Sequence, residues 1–278
     1  MSSSDTLNSH PVPPVPSSPE QQGWAQRLAD VSFGNALSIT LIATRRNLAP
    51  LFLASLIIWL CLVLPVIGLP VLDFAALLAA QDLLPVIKAT FSFRNLLIDL
   101  IVMMVVGSVA FAAAIVAVVR DLQGYRVGIR TAIREGLAAA PSSAGAGLLV
   151  TAIVLSGLLL LVIPGVIGLL GLVVALPVCI IERPGIGRSL SRSWALTRGR
   201  RLTILGLVVL LNVAGSVVDQ IHGALAAAAP GLATAWTILY AVSLLAIQMP
   251  ILAMPASLYA MLAAAEARRD AGASAVIG

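Results

Sequence analysis

Residues 136–181 read GLAAAPSSAGAGLLVTAIVLSGLLLLVIPGVIGLLGLVVALPVCII, 46 positions without a charged side chain. As a helix this run would rise about 69 Å at ~1.5 Å per residue, more than twice the ~30 Å hydrocarbon core of a bilayer. It must therefore cross twice. Pro164-Gly165 offers the turn, which puts one span near residues 144–163 and the next at 166–181. The second is short enough to ask for a tilted or thinned neighbourhood.

The same reading extends outward. Charge-poor runs predict further spans at residues 50–69, 96–119, 202–218 and 233–261, the last kinked at Pro250 and Pro255. Across 278 residues, 60% are apolar and 10% charged, with a mean hydropathy of +1.04. Soluble proteins run at roughly 45–50% apolar and about 25% charged. A soluble fold could not bury so much apolar side chain, whereas a bilayer removes the need. The expected fold class is an all-α integral membrane protein with six transmembrane helices in residues 23–265. A disordered Pro/Ser-rich tail at 1–22 and a short tail at 266–278 flank it. Residues 1–22 lack a basic start and an apolar run, so they do not read as a cleavable signal peptide. Pro11–Pro16 reads as solvated tail ahead of a polyproline ligand.

Arginine placement sets the orientation. Arg27, Arg45 and Arg46 precede the first span, and Arg120, Arg126, Arg130 and Arg134 join the second to the third. Arg183, Arg188, Arg192, Arg198, Arg200 and Arg201 join the fourth to the fifth, and Arg268 and Arg269 follow the sixth. Only Lys88 and Arg94 fall on the opposite side, so 15 of 17 basic residues share one face. The positive-inside rule makes that face cytoplasmic, with both termini on it. A hairpin at Pro250 would add a seventh crossing and export Arg268 and Arg269.

Three segments on this face begin alike, at Phe33-Gly34, Val127-Gly128 and Ile186-Gly187, and continue as basic amphipathic stretches. They predict cytoplasmic interface helices lying in the headgroup plane, and suggest a unit of interface helix, span, span used three times. In the third, Ile186, Leu190, Ser193, Trp194 and Thr197 share one helical face, with Arg188 and Arg192 directed toward phosphates.

One stretch resembles a known family. In residues 163–205 the features are Ile163-Pro164-Gly165, Ala175-Leu176-Pro177, Arg192-Ser193-Trp194 and Leu196-Thr197-Arg198-Gly199-Arg200. Together with residues 33–50 they resemble the bacterial integral membrane proteins named for the membrane domain of glycerophosphoryl diester phosphodiesterase. The resemblance implies the membrane unit and the inner membrane of a bacterium. It does not carry the phosphodiesterase activity, because 17 residues after Met261 cannot form a barrel that needs ~250.

The residues offer little chemistry. His10 and His222 cannot meet, Cys61 and Cys179 lie in apolar runs, and no metal, cofactor or nucleotide motif is present, so no enzyme is expected. Asp99 and Asp219 read as helix ends at the outer interface, the alternative being a proton relay. Asn212 and Gln248 are the candidate intramembrane polar contacts, expected to hydrogen-bond neighbouring helices. Gly165, Gly168, Gly171 and Ala175 are expected to permit close helix packing. Arg188, Arg192, Arg198, Arg200 and Arg201 are the candidate contacts for anionic phospholipid or a protein partner; their blocks between spans argue against nucleic acid. The expected role is a non-enzymatic membrane organiser or accessory subunit. The alternative is a small lipid or solute transporter, which a continuous polar cavity reaching Asn212 and Gln248 would favour.

Overall fold

The computed structural model describes residues 19–68, 102–125 and 127–277, and every regular element among them is helical. His10, Pro11–Pro16, Lys88, Arg94, Asp99 and Arg126 lie outside the described residues. The elements are α1 (Pro19–Ala29), α2 (Phe33–Arg46), α3 (Leu48–Gly68), a π-helical turn (Met103–Gly107), α4 (Ser108–Leu122) and α5 (Ile129–Leu160). There follow α6 (Val162–Leu172), α7 (Ala175–Ile181), α8 (Ile186–Leu196), α9 (Arg201–Ala228), a 3-10 turn (Pro230–Leu232) and α10 (Ala233–Ile277). Among the described residues, five helical stretches are long and apolar enough to cross a membrane, or up to six if the bent pair α2–α3 is one span. The chain is an all-α membrane protein.

The charge-free run folds back on itself, but not at Pro164. Leu161, extended at φ −162° and ψ 140°, ends α5, and Pro164 sits in the first turn of α6, where its missing N–H costs no hydrogen bond. The two backbones touch just beyond the reversal. A Cβ on Gly157 would come within 2.8 Å of Gly165 Cα, so the hairpin closes only because both positions lack a side chain.

Several expected boundaries shift. α5 is one helix of 32 residues through Pro141, so the basic segment after Val127-Gly128 continues directly into the apolar stretch and forms no separate interface helix. α9 runs ten residues past the expected end at 218. α10 continues through Pro250, Pro255 and the segment expected to be a tail, 45 residues in all, or ~67 Å of rise. α1 starts at Pro19, inside the expected disordered tail. The first and third basic segments do form helices of their own. α2 meets α3 at 88°, and Asn47 holds the corner: its backbone N–H donates to Ala43 O at 3.0 Å, and its side-chain Nδ2 to Ala43 O and, at 3.2 Å, to Asp121 Oδ2. Gly185 and Gly199, with φ of +92° and +80°, bracket α8 in a backbone region that side chains resist.

The core lies at one end of the bundle. Leu252, Ala253, Met254, Ala256, Leu258 and Met261 put the middle of α10 at the centre of the packed residues from α2, α3 and α4. Alanines of α4 and Gly136 of α5 let those backbones approach, since a Cβ on Gly136 would lie 2.8 Å from Ala113 N. Away from this end the helices expose aliphatic side chains: Leu159 and Leu160 at the α5 tip, Val213 and Val217 on α9, Ile238 and Val242 on α10.

Candidate functional site at the arginine-rich end

The helix termini carrying the basic segments meet at the packed end and are cross-linked by polar contacts. Trp24 Nε1 donates to Leu122 O at 3.2 Å, Arg46 lies 3.7 Å from Asp121, and Arg120 pairs with Glu135 at 3.3 Å. Tyr259 of α10 donates its hydroxyl to Glu182, which caps α7, at 3.1 Å.

Arg192 is the centre of this layer. Both of its terminal nitrogens hydrogen-bond the carboxylate of Glu266, one at 2.7 Å, and its Nε lies 3.4 Å from Glu182. The forked geometry suits a guanidinium, and the two carboxylates come from different elements, the C-cap of α7 and α10. Hydrogen bonding to Glu266, outweighing partial desolvation and aided by the charge of Glu182, raises the Arg192 pKa above its ordinary value. Arg192 is therefore a clamp between α7, α8 and α10.

The buried face of α8 also differs from expectation. Ser189, Ser193, Leu196 and Thr197 are buried, whereas Trp194 is 40% exposed. Small hydroxyls let α8 approach α6: Ser193 Oγ and Thr197 Oγ1 donate to Gly171 O at 2.8 and 3.3 Å. That carbonyl lies in the last turn of α6, where intrahelical donors run out. The Trp194 ring lies over Gly171, where a Cβ would fall inside it, and the Arg201 guanidinium stacks on the ring at 4.2 Å.

The five candidate arginines divide accordingly. Arg192 is spent on carboxylates, Arg201 on Trp194 with its buried Nε unbonded, and Arg200 donates to Val31 O at 3.4 Å. Arg188 and Arg198 are exposed and, among the described residues, engage no carboxylate. Glu182, Glu266, Tyr259 and Asp121 were missed as site residues; the signal for the three acids was their scarcity on the arginine-bearing face, with Asp121 and Glu182 at helix ends and Glu266, like Tyr259, inside α10.

Asn212 and Gln248 do not hydrogen-bond each other. Asn212 is exposed, and its amide donates to Val208 O of its own helix at 2.8 Å, not to a neighbour. Gln248 is half-buried with no side-chain hydrogen bond among the described residues. A cleft of ≈ 320 Å³ between α3, α4 and α5 has only apolar lining residues and includes neither position. Gly165, Gly168 and Gly171 are buried as the packing expectation requires. Asp219 accepts the Tyr240 hydroxyl at 3.0 Å, and His222 stacks on the Tyr240 ring at 4.2 Å. No group of three metal-ligating side chains occurs among the described residues.

No curated protein and no solved structure matches the chain. A family model described as a domain of unknown function, DUF7847, matches residues 93–265. That range takes in α4 to α10 up to the Arg192 clamp, more than half of the whole, and the chain belongs to the DUF7847 family.

Proposed function

We propose that this chain crosses the bacterial inner membrane six times with both termini cytoplasmic, and that it serves there as a non-enzymatic organiser or accessory subunit holding anionic phospholipid at its arginine-rich face. The bacterial placement rests on the resemblance of residues 163–205 to the glycerophosphoryl diester phosphodiesterase membrane domain. In this reading α3, α4 with its π turn, α5, α6–α7, α9 and α10 are the spans, and α2 and α8 lie at the interface. The exposed aliphatic side chains of α5, α9 and α10 are what a lipid-facing surface requires.

The observation that carries the reading is the surplus of arginine. Among the described residues, Arg46, Arg120 and Arg192 pair with Asp121, Glu135, Glu182 and Glu266, while Arg45, Arg130, Arg134, Arg188, Arg198, Arg268 and Arg269 pair with no carboxylate and outnumber the remaining acids of this face, Asp30 and Asp270. A face of uncompensated guanidinium groups beside apolar helices matches a leaflet of anionic headgroups, at about 1 kcal/mol per residue near the surface. The apolar lining of the α3–α4–α5 cleft offers a solute no polar path, so the transporter reading gains nothing.

The test is phospholipid retention by the protein purified in mild detergent, quantified by mass spectrometry. Arg188→Gln with Arg198→Gln should lower the binding constant for anionic phospholipid by about 30-fold, from ~2 kcal/mol at ~1.4 kcal/mol per decade. Unchanged retention would refute the lipid role. A reporter fused beyond Glu266 that reads as periplasmic would refute the topology.

A further inference from the structure

The cleft between α3, α4 and α5 has the form of an acyl-chain groove. Its floor is Ala110 and Ala113 of α4; Val109 and the exposed Val105 and Val106 of the π turn also line it, with α3 at Leu53 and Ile57 and α5 at Ile133 and Leu137 as walls. α4 packs closely on both walls. Backbone contact at Gly136 draws α5 down onto α4, leaving an open slot above the small side chains of the floor. The volume of ≈ 320 Å³ falls at the lower end of ligand pockets, which run ~300–1,000 Å³. A π turn in the lining is a second local feature, since such turns widen a helix and recur at functional sites.

The groove has a polar end and an apolar end. Pro50 and Ile129, both lining residues, stand in the first turns of α3 and α5, where those helices leave the arginine-rich layer. Beside Ile129 and Ile133 on α5 are Arg130 and Arg134, both exposed, and Arg45 closes α2 on the α3 side. The carboxylates of this region, Asp121 and Glu135, are already taken by Arg46 and Arg120. Arg130 and Arg134 thus flank the lining residues Ile129 and Ile133 in sequence without a carboxylate partner among the described residues, and every residue that lines the slot is apolar.

We propose that this groove holds one acyl chain of an anionic phospholipid, with its phosphate on Arg130 and Arg134. The inference rests on the membrane reading given above but concerns a separate site from Arg188 and Arg198. It predicts a resident lipid distinguished from the bulk leaflet by headgroup charge.

The probe is phosphatidylglycerol with a diazirine in one acyl chain, in vesicles of phosphatidylcholine containing the full-length protein, with labelled peptides mapped by mass spectrometry. Label is expected on Leu53, Ile57, Ile133 and Leu137, displaced by excess unlabelled phosphatidylglycerol and not by added phosphatidylcholine. Label on Val209, Val213 and Val217 of α9 reports ordinary lipid contact. Arg130→Gln with Arg134→Gln should cut groove label about tenfold and leave α9 label unchanged. Ala132→Trp should block the slot outright; where that variant loses monodispersity, the arginine pair carries the test. Groove and α9 labels falling in parallel, equal displacement by phosphatidylcholine, or an unlabelled groove occupied by another protein segment would each overturn the proposal. If the groove fails while Arg188→Gln with Arg198→Gln still lowers bulk retention, the proposed function stands without it. Loss of α9 label in the wild-type protein would instead remove the membrane reading itself.

Discussion

Breaking the clamp between Arg192 and Glu266 should loosen the end of the bundle on which the core depends. Two charge-assisted hydrogen bonds join the pair, each worth roughly 1.5–3 kcal/mol when shielded. Arg192 and Glu266 are 35% and 37% exposed, so solvent screening brings the pair to about 1–2 kcal/mol in total. The two single variants should not be equal. Glu266→Gln leaves Arg192 its contact with Glu182 at 3.4 Å and should cost about 1 kcal/mol. Arg192→Gln strips two neighbouring carboxylates of their partner and should cost about 2 kcal/mol, or ~4–8 °C in Tm for a chain of this order of length. The double variant should cost no more than Arg192→Gln alone, giving a coupling near 1 kcal/mol in a thermal-melt cycle in detergent. The sign of any pH effect follows from the raised Arg192 pKa. A group whose pKa rises on folding stabilises fully below its unfolded value, and arginine's lies above 12, so its share of the clamp should be constant from pH 7 to about 10. Additive losses, with coupling inside ~0.3 kcal/mol, would refute the claim that Arg192 is a structural residue and return it to the pool of lipid-facing charges.

Three other substitutions test the packing. Gly171→Ala places a methyl group in the Trp194 ring, and should cost about 1–3 kcal/mol by melting while weakening the stack of Arg201 on that ring. Gly136→Ala should cost a similar ~1–3 kcal/mol, because the methyl meets the backbone of Ala113 and that atom cannot rotate aside. Asn212→Leu should leave the stability read by thermal melting within about 0.5 kcal/mol of the parent, since the amide bonds only to its own helix at an exposed position. A large loss at Asn212 would restore it as an interhelical contact.

How far the fold can be read from residue order depends on the range of the forces involved. Helical character and the fold-back of residues 136–181 follow from runs of apolar side chains, which act locally. Boundaries were harder. Pro164-Gly165 marks a turn by composition, yet Leu161 makes it, because proline is comfortable in the first turn of a helix. The stretch after Val127-Gly128 resembles those after Phe33-Gly34 and Ile186-Gly187 in pattern, but Pro141 does not break α5, and no corner residue comparable to Asn47 or Gly199 intervenes. The site was half legible: the arginines stood out, and their acidic partners did not.

Composition alone determined that the chain belongs with lipid, because no rearrangement of 60% apolar residues lets a soluble surface absorb them. Spacing alone determined that its arginines cluster by segment. Only the tertiary structure decided which of them remain available, since Arg192 meets Glu266 across 74 residues of chain, a meeting set by how α7, α8 and α10 converge and by no local pattern. Burial of apolar area accumulates along a helix whatever it packs against, whereas a charge takes its role from the particular group that packing brings within 3 Å of it.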